Sequence, residues 1–198
     1  MKCLAPWHSI LVRFNGDIVP DGVYKARYGN VLKSSLNDVL NSYTATHTKD
    51  SLRMGQLPPE CEQCALKEES VGHSRRLFFR DILNPMVENK EYDYSKNFTD
   101  ILFLEFNMSN ICNLKCRMCN GISSSAWVKE EKKLAEISAD YQRPVDHPEF
   151  GYTNKSEEII QRLFEDPTPF MNLRYLSIKG GEPYMEPANK KILQKFID

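Results

Sequence analysis

The run Cys112-Asn-Leu-Lys-Cys116-Arg-Met-Cys119 sets three thiols within eight residues, and this constrains the chain more than any other feature. Thiols so close together in sequence converge on one centre instead of dispersing through a core. A cubane cluster of four irons normally takes four thiolates, so three leave one iron with open coordination for a substrate or cofactor. Electron-transfer clusters have little use for such an opening. The competing readings are a zinc knuckle and three metal-free loop cysteines. Zinc needs a fourth ligand nearby, and the next histidine, His147, lies 28 residues beyond Cys119. Asn107, Asn110, Asn113 and Asn120 suit a loop whose backbone enters the left-handed region and whose amides aim at cluster sulfur.

The flanking sequence sets this loop in an α/β context. Ile101 to Phe106 is a near-continuous apolar run, as expected of a buried parallel strand, and the cysteines follow it. Ser123 to Ser125 are candidate caps for a helix with Trp127, Leu134, Ile137 and Tyr141 on one face, while Lys129 to Lys133 reads as its solvated charged face. A short helix with Ile159, Ile160, Leu163 and Phe164 leads to a second strand, Leu173 to Ile178, which ends at Gly180-Gly181-Glu182-Pro183. Pro187 opens a last helix with Ile192, Leu193, Phe196 and Ile197 inward. Two strand-helix units predict a parallel sheet with its function at the carboxyl ends of the strands.

Upstream, Ser9 to Phe14, Asn15-Gly16 and Asp17 to Val19 predict a hairpin closed by a turn with positive φ angles. Leu36, Val39, Leu40 and Tyr43 follow Ser35 at helical spacing. Residues 76–100 read as a helix broken at Pro85 and a polar connector holding Asp93, Lys96 and Asn97. The expected division is 1–75, 76–100 and 101–198. A module of about 75 residues is small for a core alone, and a metal staple suits it. Cys3 and the pair Cys61 and Cys64 supply thiols for one. His8, His47, His73 and His147 read as packed or exposed side chains rather than ligands.

Lys and Arg (26) nearly balance Asp and Glu (27), so no basic field points to nucleic acid. The first residues lack the apolar stretch of a signal peptide, and no run approaches a membrane span. A cytoplasmic protein is expected, in which six cysteines serve as ligands, redox groups or core residues rather than disulfides.

Cys112-x3-Cys116-x2-Cys119 after one strand, with Gly180-Gly181-Glu182-Pro183 after another about sixty residues on, resembles the radical SAM superfamily. The resemblance implies a 4Fe-4S cluster on Cys112, Cys116 and Cys119, with S-adenosylmethionine (SAM) chelating the open iron. It places Gly180, Gly181 and Glu182 at the SAM amino group and Met118 near the adenine. Cys3-Leu-Ala-Pro-Trp7, the Asn15-Gly16 hairpin, Asn41-Ser42, Pro59-Glu-Cys61-Glu-Gln-Cys64, Glu68-Glu69 and Gly72 resemble the twitch-type auxiliary domain of some radical SAM enzymes. Ser123-Ser-Ser-Ala-Trp127 continues that pattern.

The chain departs from the pattern at Pro20-Asp21-Gly22-Val23, where the family tends to place cysteine. Cys3, Cys61 and Cys64 thus leave a second iron-sulfur cluster one thiolate short. Asp21 as an oxygen ligand, a substrate, zinc, or no metal at all remain open there.

The resemblance implies reductive SAM cleavage to a 5'-deoxyadenosyl radical and hydrogen abstraction from a peptide or small-metabolite substrate, with flavodoxin or ferredoxin as electron donor. The family barrel has about six strand-helix units and this sequence has two, so the expected fold is a twitch-like module followed by the start of a radical SAM (β/α) barrel. A fragment of an enzyme and a noncatalytic iron-sulfur or zinc module that partners another chain are the two readings.

Overall fold

The computed structural model describes residues 3–87, 94–95, 100–139 and 155–197. Its centre is a five-stranded open sheet built from β1 (Ser9–Arg13), β2 (Asp17–Val19), β3 (Gly29–Asn30), β4 (Phe103–Asn107) and β5 (Tyr175–Lys179) in the order β3-β2-β1-β4-β5. The hairpin strands β1 and β2 are antiparallel, as are β2 and β3. β1 also lies parallel to β4, from Ser9 opposite Phe103 to Arg13 opposite Asn107, and β4 lies parallel to β5. The N-terminal hairpin therefore belongs to the same sheet as the two expected parallel strands, and the protein is mixed α/β.

The hairpin turn differs from expectation. Gly16 alone takes a positive φ, +85°, and its amide donates to the Arg13 carbonyl at 2.8 Å, which makes a three-residue loop in place of a two-residue one. Asn15 stays on the negative side because its carboxamide is tied to Asp17, accepting from the Asp17 amide at 3.0 Å.

Alternation along the strands gives the sheet two unlike faces. Ile10, Val12, Ile18, Leu104 and Phe106 are fully buried on one face, in a core completed by Ile159, Ile160, Leu163 and Ile192. These last residues come from α7 (Ser156–Leu163) and α8 (Pro187–Ile197). On the other face Phe103 meets Phe78 and Phe79 of α5 (Arg75–Val87), with ring centroids 6.2 and 5.1 Å away. Above Phe103 that face turns polar, with Glu105, Asn107 and Lys179.

Several helix expectations change in detail. α5 is not broken at Pro85 but runs to Val87, since a proline so near the carboxyl end forfeits a single backbone bond. The connector residues Asp93, Lys96 and Asn97, along with Tyr141 and His147, lie outside the described residues. The single helix expected after Ser35 is two, α2 (Leu36–Leu40) and α3 (Tyr43–Arg53), because Ser35 and Ser42 each cap a start by accepting from the amides of Asp38 and Ala45. Tyr43 is exposed as a result. Lys49 of α3 is buried and donates to the Leu40 carbonyl at 3.2 Å; burial, with Arg53 adding, pulls its pKa down to about 8.

The outward side of α8 also departs from expectation. Ile192 is buried, but Leu193 and Ile197 are exposed and Phe196 only edges onto Phe164. In α6 (Val128–Ile137), Ile137 is exposed and the buried residue is Glu131, from the segment expected to be solvated. α1 (Ala5–His8) and α4 (Glu62–Val71) complete the helices used below. His8 ends α1 fully buried, with Nδ1 2.9 Å from the Asp100 carbonyl.

Candidate metal centres

Because β1, β4 and β5 are parallel, their carboxyl ends form one row of Arg13, Asn107 and Lys179. The segments leaving β4 and β5 stay paired beyond it. The Gly181 amide donates to the Ser109 carbonyl at 3.1 Å and the Glu182 amide to the Ile111 carbonyl at 2.7 Å. A Cβ on Gly181 would sit 2.4 Å from the Ile111 oxygen, and one on Gly180, at φ +138°, would sit 2.6 Å from the Ser109 oxygen. Both positions demand glycine because the backbone of the cysteine loop occupies the space a side chain needs.

The loop itself is fastened from downstream. The Ser125 hydroxyl accepts from the Cys112 amide at 3.1 Å, Ser124 Oγ donates to the Leu114 carbonyl at 2.7 Å, and Trp127 Nε1 donates to the Cys116 carbonyl at 3.1 Å. Asn110 Nδ2 donates to the Gly121 carbonyl at 2.8 Å, while the Gly121 amide donates to Glu131 at 2.6 Å. Ser124 and Ser125 thus clamp the loop rather than cap a helix by side chain. No non-glycine residue among those described has positive φ, so the expected left-handed asparagines are absent there. Asn110 and Asn120 instead fold their amides onto backbone groups.

The three cysteines of this loop lie near the surface, close enough for Cys116 and Cys112 to bear on Cys119. The Cys119 thiol is raised by desolvation first and then by Cys116 and Cys112, with a hydrogen bond between Cys119 and Cys116 adding to the shift. Cys116 is exposed, and Met118 stands almost wholly in solvent at 95%. Glu182 turns its carboxylate back to accept from the Tyr184 amide at 3.2 Å.

The second group is enclosed. Cys3 precedes α1, Cys61 ends the turn Pro59–Cys61, and Cys64 lies in the first turn of α4. All three line two adjoining pockets of about 40 and 220 Å³. The larger one holds many times the ~10–15 Å³ that a single water needs. Burial pushes the Cys3 thiol up to about 12, with Cys61 and Cys64 adding and Arg76 opposing, although the Ala5 backbone bond lowers it. Burial likewise pushes Cys61 up to about 11, with Cys64 and Glu60 adding. Such thiols are neutral until a metal replaces their protons. Arg76 borders both pockets and is held by Glu68 in a buried ion pair, Nε to Oε1 2.8 Å. Among the described residues no three Cys, His, Asp or Glu groups close around a single metal ion.

Asp21 reaches the same enclosure but is already engaged. Its Oδ2 accepts from Arg75 Nε at 2.7 Å and its Oδ1 from the Val23 amide at 2.9 Å. Arg75 also lies 3.9 Å from Glu105, which pairs with Lys179 at 2.8 Å. A line of alternating charge therefore joins the end of β5 to the wall of the enclosed site. It borders a polar cavity of about 380 Å³ lined by Arg13, Asn107 and Glu105.

Two cysteine groups therefore stand on one mixed α/β sheet, one on a surface loop and one lining a pocket. Residues 3–65 match the family model of SPASM, an iron-sulfur cluster-binding domain, which is the twitch/SPASM-type domain of radical SAM proteins. The match contains Cys3, Cys61 and Cys64 and ends before Cys112. No curated protein and no solved structure matches the chain. No helix among the described residues is long and apolar enough to cross a membrane.

Proposed function

We propose that the protein is a radical SAM protein, with a 4Fe-4S cluster on Cys112, Cys116 and Cys119 and an auxiliary iron-sulfur cluster on Cys3, Cys61 and Cys64. The observation that carries this reading is the docking of Gly180–Glu182 against Ser109–Ile111, which sets the glycine motif beside the cysteine loop at the carboxyl ends of adjacent parallel strands. Three converging thiols of this loop fit a cluster with one open iron. Gly180, Gly181 and Glu182 hold the amino group of SAM, and Met118 approaches its adenine from the tip of the loop. Bound there, cluster and SAM together supply a 5'-deoxyadenosyl radical for hydrogen abstraction.

In this reading β4 and β5 are the first two strands of a radical SAM barrel, and residues 1–75 form the auxiliary module. The substrate, a peptide or small metabolite, occupies the polar cavity between the two centres, where Arg13 and Lys179 offer cationic groups. A flavodoxin or ferredoxin delivers the electron.

The test is anaerobic reconstitution followed by chromatographic detection of 5'-deoxyadenosine after dithionite reduction with SAM, on this chain and on a longer one carrying further strand-helix units. SAM-dependent product with either chain, lost in a Cys112/Cys116/Cys119 to Ala variant, is the expected result. A second reading, a noncatalytic cluster protein that docks on another chain, draws on the exposure of Met118 and of Tyr184, which is 90% exposed, beside the cysteine loop. It predicts cluster binding by both chains and product from neither.

A further inference from the structure

Three thiolates leave an auxiliary cubane one ligand short, and two carboxylates, Asp21 and Glu60, border the smaller of the two adjoining pockets that the three cysteines line. They are not equivalent. Both oxygens of Asp21 accept hydrogen bonds, one from a guanidinium and one from an amide, so metal binding there competes with Arg75 and Val23. Glu60 sits in the turn Pro59–Cys61, next in sequence to a ligand cysteine. Its Oε2 is shielded from solvent and has no hydrogen-bond partner.

A shielded carboxylate oxygen without a donor carries an uncompensated desolvation cost, which a cation placed against it removes. The cations that line this pocket are committed elsewhere, Arg76 to Glu68 and Arg75 to Asp21. The turn that fixes Cys61 fixes Glu60 with it, so the two donors arrive at the pocket together.

We propose that Glu60 is the fourth protein ligand of the auxiliary cluster, through Oε2, giving a Cys3, Cys61, Cys64 and Glu60 set. This inference rests on the reading that the enclosed pocket holds a 4Fe-4S cluster. Its functional consequence is that all four irons are held by the protein, so this centre takes no substrate and serves to pass electrons. An oxygen ligand on one iron is harder than thiolate, which makes that iron distinct from the other three and the first to leave.

The experiment uses the full chain with Cys112, Cys116 and Cys119 changed to Ala, which isolates the enclosed centre. After anaerobic reconstitution with iron-57, Mössbauer spectra, iron and sulfide content and the rate of conversion to a 3Fe-4S species under mild oxidation are measured for this parent and for its E60Q, E60C and D21N derivatives. The expected result is one distinct iron site in the parent. Conversion should be about tenfold faster in E60Q, the scale on which changes around a metal alter its retention. In E60C a stable cluster with the distinct site abolished is expected, which shows that the turn tolerates substitution.

Four equivalent irons in the parent, equal conversion rates in parent and E60Q, or faster loss in D21N than in E60Q would each overturn the proposal. Should E60Q fail to fold, the parent and E60C spectra decide alone. A parent that binds no iron removes the reading beneath the proposal and the proposal with it, an outcome distinct from a cluster indifferent to Glu60.

Discussion

The two cysteine groups obey opposite physics. Cys3, Cys61 and Cys64 come from two distant segments and line one pair of pockets, where burial keeps the protons of Cys3 and Cys61 on, with Arg76 as the nearby cation. Cys112, Cys116 and Cys119 come from one loop near the surface, whose backbone is held by hydrogen bonds with the side chains of Ser124, Ser125 and Trp127. The first centre depends on tertiary packing and on a buried ion pair. The second depends on the close approach of two backbones, which glycine alone permits. An enclosed centre is protected and closed, whereas an exposed one is accessible to a small molecule.

The sharpest way to break this comparison is Gly181→Ala. With a carbonyl oxygen 2.4 Å from the new Cβ, the loop must move, at a cost of about 3 kcal/mol, the upper range for forcing atoms into a packed site. Iron and sulfide assays should show the Cys112 centre lost and the Cys3 centre retained. Loss of both, or of neither, would mean that the two are not independently supported.

Next in size, Arg76→Met leaves Glu68 without its buried partner and should cost about 3 kcal/mol in denaturant unfolding. The double change Arg76→Met with Glu68→Leu should recover much of this, because neither charge is then stranded. Iron at the Cys112 centre should not follow these losses while the chain remains folded.

The wall of the enclosed site supplies a pH test. Lys49 lies on α3, which contributes Leu52 to the larger pocket. Its folded pKa of about 8 is below the ordinary 10.5, so between these values the unfolded chain binds more protons and stability rises with pH. Relative to Lys49→Met, the unaltered protein should gain at most about 1.4 kcal/mol per pH unit across that window and nothing below it. A difference that is flat from pH 8 to 10.5 would show Lys49 in contact with water.

The smallest effect is Ser125→Ala. It removes the acceptor for the Cys112 amide and should cost about 1 kcal/mol. The exposed centre should release iron faster to a chelator while the enclosed centre keeps its rate.

Local pattern made much of this visible before any coordinates. The hairpin alternation, the apolar run ending near Phe106 and the grouping of cysteines all lie within short stretches of sequence, and short stretches report their own geometry. Pairing of β1 with β4 was not legible, since it joins residues 94 positions apart and periodicity carries no information about partners. The same limit hid Glu131, whose charged neighbours on α6 read as solvated although its carboxylate reaches back to Gly121. Glu60 was masked by lying between a proline and a cysteine in a stretch read for its thiols. The useful signal for that proposal is an acidic residue adjacent to a candidate ligand cysteine in a chain one cysteine short. Gly180 and Gly181 read as making room for a ligand, and they also make room for Ser109 and Ile111.

The ladder between β1 and β4 has a consequence for timing. Five consecutive residue pairs join the strand that follows Cys3 and α1 to the strand that leads to Cys112. Adjacent strands lie about 4.8 Å apart, a spacing set by backbone hydrogen bonds rather than by a tether. Any widening of the gap between the two proposed iron-binding places along this route therefore requires unzipping a sheet whose inner residues are fully buried. Tunnelling rates fall exponentially with distance, so a module swinging on a linker would yield a broad spread of transfer times. For electrons passing between the two proposed clusters, a shared ladder yields a narrow one, with the interval set by strand register.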